Sequence, residues 1–315
     1  GFEMSGSTAV TLLIFVGVMS KSAQFPLHMW LPDSLYAPTP IHGLLHAGII
    51  NAGGFLLTRL APLYVLSSTT LHVVFAVGLV TAILGTSMML VQNDIKKTLG
   101  YSTIGQMGYM IMECGLGAFS LAVFHLMAHG LFKATIFLNC GDVIHQARQE
   151  PKRPPQPSTR LGPSGLSWVS GFVIALGLPL AILVGAHQVL NIALQDSQGL
   201  IVFLFFSWVT ASHAMLTLFR IRATGAMAQS VLLIAIAGIS TAYLFAAEAF
   251  THFLFPDASV VTAHFEAAAL PNGVFLTIAG FSVLLIMSFY RQRAGGSAHR
   301  SEWSKNLHTH LYLLF

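Results

Sequence analysis

The sequence predicts an all-α, polytopic membrane protein, and both its composition and its hydropathy pattern support that class. Of the 315 residues, 55% are hydrophobic and only 8% are charged, with a mean hydropathy of +0.73. A soluble globular domain carries about 25% charged residues. A helix needs about 20 mostly apolar residues to cross a bilayer, and about nine stretches of this chain reach that length. They are residues 7–32, 40–62, 69–92, 98–115, 117–145, 164–190, 197–220, 226–249 and 272–291. We expect one transmembrane bundle over residues 1–291 and a polar tail over 292–315.

Basic residues predict the orientation of the bundle. The loops after the third, fifth and seventh segments, together with the tail, hold 12 of the 15 lysines and arginines. Because cytoplasmic loops are enriched in Lys and Arg, the 93–97, 146–162 and 220–225 loops and the C-terminus are predicted to be cytoplasmic. The pI near 9.2 follows from this asymmetry and indicates no nucleic-acid partner.

Motifs for redox, nucleotide or nucleophilic chemistry are absent from the sequence. There is no P-loop, GxGxxG, CxxC, haem-attachment motif or nucleophile elbow. Cys114 and Cys140 both fall in apolar segments, where cysteine acts as a small core residue. We therefore expect no cofactor, no metal and no enzymatic activity in this chain, with any driving chemistry on a partner subunit.

Two segments, 7–32 and 117–145, are long and polar near their middle, which predicts bent or broken helices. Pro26 has no backbone N–H to donate and disrupts the turn before it. Pro179 predicts a similar break in the sixth segment, whereas the fifth segment has no proline. Broken membrane helices expose backbone groups at mid-depth, a common setting for ion sites in transporters.

Lys21 lies within the first predicted membrane segment, after the apolar run 8–19. A lysine at the bilayer centre costs roughly 2.5–3.5 kcal/mol on insertion scales, and such residues usually face a charge pathway or a charged partner. Burial makes an amine release its proton more readily, which suits a proton relay. The alternative is a long side chain that reaches the interface, but Lys21 lies far from the start of its segment.

His42 and His46 are four residues apart, on one face of the second segment. Histidine titrates near neutral pH and can pass protons through both ring nitrogens. The alternative is a pair of hydrogen-bonded core histidines. The helical spacing and the intramembrane lysine nearby favour a proton pathway.

His125, His129 and Lys133 follow one another at spacings of four, which stacks all three on one face of the fifth segment. Such groups could form a proton wire across part of the membrane. A His-x3-His pair can also bind zinc, but Leu126 follows the first histidine where the metalloprotease motif has Glu. Ordinary polar packing between helices is the other alternative.

Glu113 follows an apolar run at residues 107–112 and is a candidate intramembrane carboxylate. We expect it to pair with Lys21, His46 or Lys133 across the bundle, or else to lie at the interface as the last acid of its helix. Two further acids are predicted to be interfacial: Asp142 and Glu248.

These residues fall in blocks that resemble a known superfamily. The blocks read KSAQFPLHMWLPD at 21–33, APTP at 37–40, VQNDIKKTLGYST at 91–103 and HLMAHGLFK at 125–133. They are similar to the antiporter-like membrane subunits of respiratory complex I and of the Mrp sodium/proton antiporters. The resemblance is dense over about 7–145 and looser elsewhere.

The resemblance implies two inverted five-helix repeats, each with a half-channel. The first repeat would end over about 7–62, the second would occupy about 69–190, and extra helices would follow over 197–291. Lys21 would be the central lysine of the first half-channel, and His46 the titratable group that links the two. His125, His129 and Lys133 would be the linking residues of the second half. The family's first helices would precede residue 1, so that this chain would be the C-terminal two-thirds or so of a longer subunit.

One region departs from the family pattern. The second broken helix of the family carries a lysine or glutamate soon after its Leu-Pro, whereas this chain reads GLPLAILVGAHQ at 177–188. His187 is the nearest titratable group. The long lateral helix of the distal complex I subunit is also missing. His187 is therefore the candidate for the end of the second half-channel.

Two more blocks, IMECGLGAF at 111–119 and LNCGDVIH at 138–145, are similar to DabB, the membrane subunit of inorganic-carbon accumulation complexes. That resemblance implies a bacterial inner-membrane protein with a cytoplasmic partner, the zinc-containing, carbonic-anhydrase-like DabA. Cation flow, of protons or Na⁺, would drive hydration of CO2 to bicarbonate on that partner. The rival functions are a respiratory pump or Mrp-type antiporter subunit, and a membrane anchor that conducts nothing.

Overall fold

A computed structural model describes residues 5–34, 37–92, 94–149 and 245–270, with residues 177, 238, 241, 242 and 277. Every regular element formed by these residues is a helix. The helices are α1 (Gly6–Lys21), α2 (Trp30–Asp33), α3 (Thr39–Ala47), α4 (Ala52–Arg59), α5 (Ala61–Tyr64), α6 (Ser68–Val91), α7 (Ile95–Gly115), α8 (Phe119–Gln149) and α9 (Ala258–Ala267), with a 3₁₀ turn at Ile49–Asn51.

The first predicted segment is broken, as expected. Helix α1 begins where the Ser5 hydroxyl accepts a hydrogen bond from the Thr8 backbone N–H at 3.3 Å, a normal N-cap. It ends at Lys21, and the chain turns before α2 begins at Trp30. The Trp30 indole N–H donates to the Ser20 carbonyl at 3.0 Å, which satisfies one of the carbonyls left free at the helix end.

The second predicted segment is also broken, which the sequence did not predict. Helix α3 stops at Ala47 and continues as the 3₁₀ turn and α4. The Asn51 side chain donates to the Ala47 carbonyl at 2.6 Å and so replaces a backbone partner lost at the break. A side chain on Gly130 of α8 would press against that same carbonyl. The break therefore lies against α8, in the part of the chain that holds the titratable residues.

Helices α6 and α7 pack through glycine. A Cβ atom at Gly85 would collide with the Gly105 backbone nitrogen, and one at Gly78 would collide with the Met112 backbone nitrogen. Small residues at such positions let membrane helices approach backbone to backbone, where van der Waals contact stabilises the pair.

The expected break in the fifth segment is wrong, because α8 runs from Phe119 to Gln149 without interruption, whereas a bend there stays a prediction. The physical reason is that no proline removes a backbone donor here, and polar side chains alone do not break a helix. The uninterrupted helix keeps His125, His129 and Lys133 on one face, and these three residues are called the α8 stripe below. A short turn at 116–118 separates it from α7, so α7 and α8 are neighbours in the chain.

Three spans in the described residues are long and apolar enough to cross a membrane: Pro40–Arg59, Ser68–Met89 and Phe119–Leu138. The Gly6–Lys21 helix is apolar but shorter. The total of nine segments stays a prediction, because the sixth to ninth lie mostly outside the described residues. The repeat arrangement, the 146–162 loop, the tail and the membrane orientation also stay predictions.

The chain divides into two compact units, one made of residues 1–140 and 263–315 and the other of residues 141–262. In the first unit, a His72 ring nitrogen lies 3.0 Å from the Ala269 carbonyl, at the start of α6. In the second, the exposed His252 side chain and the half-buried Glu248 side chain form a pair at 3.3 Å. The interfacial position predicted for Glu248 stays a prediction.

Candidate functional site

His42 and His46 form a buried pair on α3. Neither residue is exposed, and their Nε2 atoms lie 3.1 Å apart. One ring must donate and the other accept, so the two rings share one proton at this contact. Among the described residues, neither Nδ1 atom has a hydrogen-bond partner. The pair is therefore a place where a proton can be held between two equivalent groups.

Lys133 is buried, as the sequence predicted, with only 1% of its surface exposed. Its ammonium nitrogen donates to the Leu99 carbonyl at 3.2 Å and to the Ser102 hydroxyl at 3.1 Å, both on the first turns of α7. Both partners are neutral. In the described part of the chain, the lysine has no carboxylate as a partner.

His129 lies one turn before Lys133 on α8 and is 5% exposed. Neither of its ring nitrogens has a hydrogen-bond partner within the described residues. A buried polar atom without a partner usually marks a functional position or a place for a water molecule. The ring centroid of His129 is 6.2 Å from that of His125, a separation that one water molecule can bridge.

Glu113 pairs with His125, and not with Lys21, His46 or Lys133 as the sequence analysis expected. The Glu113 carboxylate is 2% exposed, and its Oε2 lies 3.1 Å from His125 Nδ1. The reason is the short turn between α7 and α8, which brings the end of one helix beside the start of the next. Glu113 is therefore a buried acid at one end of the α8 stripe, and its position relative to the membrane interface stays a prediction.

The α3 pair and the α8 stripe form one cluster. The Phe137 ring stacks on His46, with centroids 5.0 Å apart and an interplanar angle of 20°, and contacts the His42 ring edge-on at 5.2 Å. His46 also lies within electrostatic reach of His129 and Lys133. Five titratable side chains from two helices thus share one interior region, with Glu113 at its end.

Lys21 stands apart from this cluster. It is the last residue of α1 and its side chain is exposed, whereas the sequence analysis expected a buried amine. The physical reason is that α1 ends at this residue and the chain turns away. Together with Gly17, Ser20 and Trp30 it lines an open groove of about 500 Å³. His187, the remaining candidate, lies outside the described residues.

Sequence reasoning missed Gln106 and Phe137. Gln106 Oε1 lies 3.0 Å from His125 Nε2, and Phe137 contacts both histidines of α3. A signal for Gln106 was present, because it lies seven residues before Glu113 and so on the same face of α7. Phe137 carried no such signal, since an aromatic residue one turn after Lys133 looks like any other apolar residue of a membrane helix.

Among the residues that the structure describes, no group of three His, Cys, Asp or Glu side chains is placed to hold a metal ion. The arrangement can instead hold and pass protons, since it combines imidazoles, an amine and a carboxylate at short range. The expectation of a metal-free chain remains a prediction for the whole sequence.

The same residues place the chain among known proteins. A family described as NADH:quinone oxidoreductase/Mrp antiporter, transmembrane, matches residues 1–209. The chain belongs to this family. The match includes the broken first segment, the α3 pair and the whole α8 stripe, so the antiporter-like resemblance seen in the sequence is confirmed.

Individual proteins are similar to this chain over different lengths. A probable inorganic carbon transporter subunit DabB1 from Halothiobacillus neapolitanus is 44% identical over 289 residues, which are 89% of this antiporter-family chain and 51% of that protein. NADH-quinone oxidoreductase subunit L from Neisseria meningitidis serogroup A is 49% identical over 145 residues, 46% of this chain and 22% of that one. The chain thus spans about half or less of the length of these relatives. The similarity to DabB predicted from the sequence is confirmed.

A solved structure of an Mrp complex from Dietzia sp. DQ12-45-1b contains a similar chain. The two chains share 18% identity with a TM-score of 0.41, over 78% of this chain and 41% of that one. This TM-score is too low to bear on the fold. The family assignment rests on the sequence match, and the described helices agree with a membrane protein of that family.

Proposed function

We propose that this chain forms part of a proton-conducting membrane subunit. The observation that carries the proposal is the cluster of buried titratable groups on α3 and α8. Burying Lys133 and three histidines in an apolar bundle costs free energy, because each loses its hydration. Intramembrane ionisable residues that face the bundle interior are typical of proton relays.

The proposed path uses short transfers between neighbouring groups. A proton can move directly between the Nε2 atoms of His42 and His46, which are 3.1 Å apart. Transfer along α8 continues between Lys133, His129 and His125. The step between His129 and His125 needs a bridging water molecule, since their ring centroids are 6.2 Å apart. The two unpartnered nitrogens of His129 offer sites for that water. Lys21 and His187 would act at the two ends of the path.

We further propose that the conducted ion powers accumulation of inorganic carbon. The support is the similarity to DabB1, which extends over 89% of the chain, whereas the match to subunit L covers 46%. On this proposal a zinc-containing, DabA-like subunit binds the cytoplasmic face and hydrates CO2, and this chain performs no catalysis itself. The proposed site of action is a bacterial inner membrane.

The first experiment measures proton flux in vesicles that contain the full-length subunit. Lys133→Met removes the buried amine while keeping an unbranched side chain of similar length. Lys97→Met is the matched control, since Lys97 is an exposed lysine on the neighbouring α7. We expect flux to fall about 100-fold or more in the first variant and to be unchanged in the second. Equal flux in both variants and the wild type would refute the relay.

The second experiment identifies the partner. Purification of the full-length subunit from its native membrane should bring with it a zinc protein similar to carbonic anhydrases. A second candidate function, a proton-pumping subunit of a quinone oxidoreductase, is favoured by the 49% identity to subunit L. That function predicts flavin and iron–sulfur subunits in the same preparation, and their presence would decide against carbon accumulation.

If the chain is a membrane anchor that conducts nothing, the expected result differs from that of both conducting functions. In that case the relay residues could all be replaced without loss of inorganic-carbon uptake, whereas the 146–162 loop and the tail could not. Inorganic-carbon uptake is measured in cells that carry Lys133→Met at normal expression. Normal uptake indicates an anchor, and loss of uptake indicates a conductor.

A further inference from the structure

His125 is the best-connected histidine of the α8 stripe, because both of its ring nitrogens meet oxygen atoms of α7. Nδ1 lies 3.1 Å from Glu113 Oε2, and Nε2 lies 3.0 Å from Gln106 Oε1. An amide oxygen can only accept a hydrogen bond. With the Gln106 amide in this orientation, the Nε2 atom of His125 carries a proton and donates it to Gln106 Oε1.

This constraint decides which ring nitrogen can exchange a proton. With Nε2–H held by Gln106, the group has two states that keep both hydrogen bonds. In one, Nδ1–H donates from an imidazolium ring to the Glu113 carboxylate. In the other, the carboxylic acid of Glu113 donates to Nδ1 of a neutral ring. One proton moving between Nδ1 and Oε2 converts one state into the other, and no other bond changes.

We propose that Gln106 is a positioning residue that holds His125 in the Nε2–H form, so that its mobile proton is shared with the Glu113 carboxylate. This inference rests on the proposed proton-conducting function and deepens it, because it assigns Glu113 as the proton acceptor at one end of the α8 stripe. Without Gln106 the neutral ring can carry its proton on Nδ1 instead. Nδ1 then cannot accept a proton from the Glu113 carboxylic acid.

The surroundings of His125 fit this assignment. From α7 it faces Glu113, Gln106 and the Tyr109 ring, whose centroid is 5.3 Å from its own. From α8 it faces His129, and Lys133 follows one turn further on. Glu113 is the sole carboxylate among these groups in the described residues. The Glu113 side chain is only 3% exposed and that of His125 12%, so the pair exchanges protons with each other more readily than with bulk water.

The test is a nitrogen NMR measurement on the full-length subunit in lipid bilayers with ¹⁵N-labelled histidine. The His125 signals are assigned by their loss in His125→Gln. We expect Nε2 of wild-type His125 to remain protonated throughout a pH titration. Gln106→Leu should give a neutral form with bare Nε2, whereas Gln106→Glu, which keeps an oxygen acceptor, should restore protonated Nε2. Tyr109→Phe, which keeps the ring beside His125, should match the wild type.

Two results would overturn the assignment. One is a wild-type spectrum with a neutral His125 whose Nε2 lacks a proton, which needs no variant of Gln106 to fold. The other is a Gln106→Leu spectrum identical to that of the wild type. Proton flux measured in the same vesicles should fall about tenfold in Gln106→Leu and recover in Gln106→Glu. Absence of flux in the wild type would refute the proposed function, while the spectrum decides the role of Gln106 separately.

Discussion

The Nε2 atoms of His42 and His46 lie 3.1 Å apart inside α3, with no part of either residue exposed. Such a contact can form only if one ring donates and the other accepts. A second proton on the accepting Nε2 breaks the contact. The pair therefore holds one shared proton in its closed form, and a further proton keeps the contact only if it binds the Nδ1 atom of the donating ring, which has no partner among the described residues.

The histidine pair gives the first prediction. His46→Leu should lower proton flux about 100-fold, because the shared proton loses one of its two sites. His252→Leu is the control, since His252 is an exposed histidine outside the α3 and α8 cluster. Flux in vesicles measures both. Wild-type flux in His46→Leu would show that protons bypass α3.

The same pair predicts a coupling in stability. A double-mutant cycle with His42→Leu and His46→Leu should give an interaction of about 1 kcal/mol, the usual contribution of one hydrogen bond. Thermal unfolding of the four proteins in the same detergent measures it. Additive losses would mean that the contact is not formed in the folded protein.

Lys21 gives a prediction that separates function from stability. Because its side chain is exposed at the end of α1, Lys21→Ala should change the free energy of unfolding by no more than about 0.5 kcal/mol. Coupled function should nevertheless be lost, as the antiporter-like resemblance implies. Inorganic-carbon uptake at matched expression measures the function. Normal uptake in both Lys21→Ala and Lys133→Ala would contradict the relay.

Glu113 can be tested with two substitutions that differ in hydrogen bonding. Glu113→Gln keeps an oxygen that faces His125 but cannot take a proton, so we expect flux to fall about tenfold with little change in stability. Glu113→Leu removes the hydrogen-bond partner as well, and should also cost about 1–3 kcal/mol of stability. Glu248→Gln, at a half-buried acid outside the α3 and α8 cluster, is the control for both. Equal flux in Glu113→Gln and the wild type would exclude the carboxylate from the path.

The contact between α6 and α7 gives a prediction about packing alone. Gly85→Ala places a Cβ atom against the Gly105 backbone, and should destabilise the protein by about 1–3 kcal/mol. Gly17→Ala in α1 is the matched control, because nothing lies within 4 Å of the added atom there. That control should be neutral or slightly stabilising, since Ala favours helix over Gly. Thermal unfolding compares the two, and equal midpoints would refute close contact at Gly85.

The sequence predicted the bounds and breaks of helices well where the signal lies within a short stretch of the chain. The bounds of α6 and α7 agree with the predicted segments to within a few residues, and the break after Lys21 lies where the polar run and Pro26 placed it. The break after Ala47 was missed because no proline marks it. Its partners are the Asn51 side chain and the α8 surface near Gly130, which no window of the sequence brings together.

The sequence alone determined that His125, His129 and Lys133 share a face, because helical periodicity fixes side-chain direction along one helix. Only the tertiary structure decided which groups meet: Glu113 with His125, and His46 with Phe137. The physical reason is that a partner depends on the rotation and crossing of two helices. Those are set by close packing of their whole surfaces and not by the spacing of residues within either one.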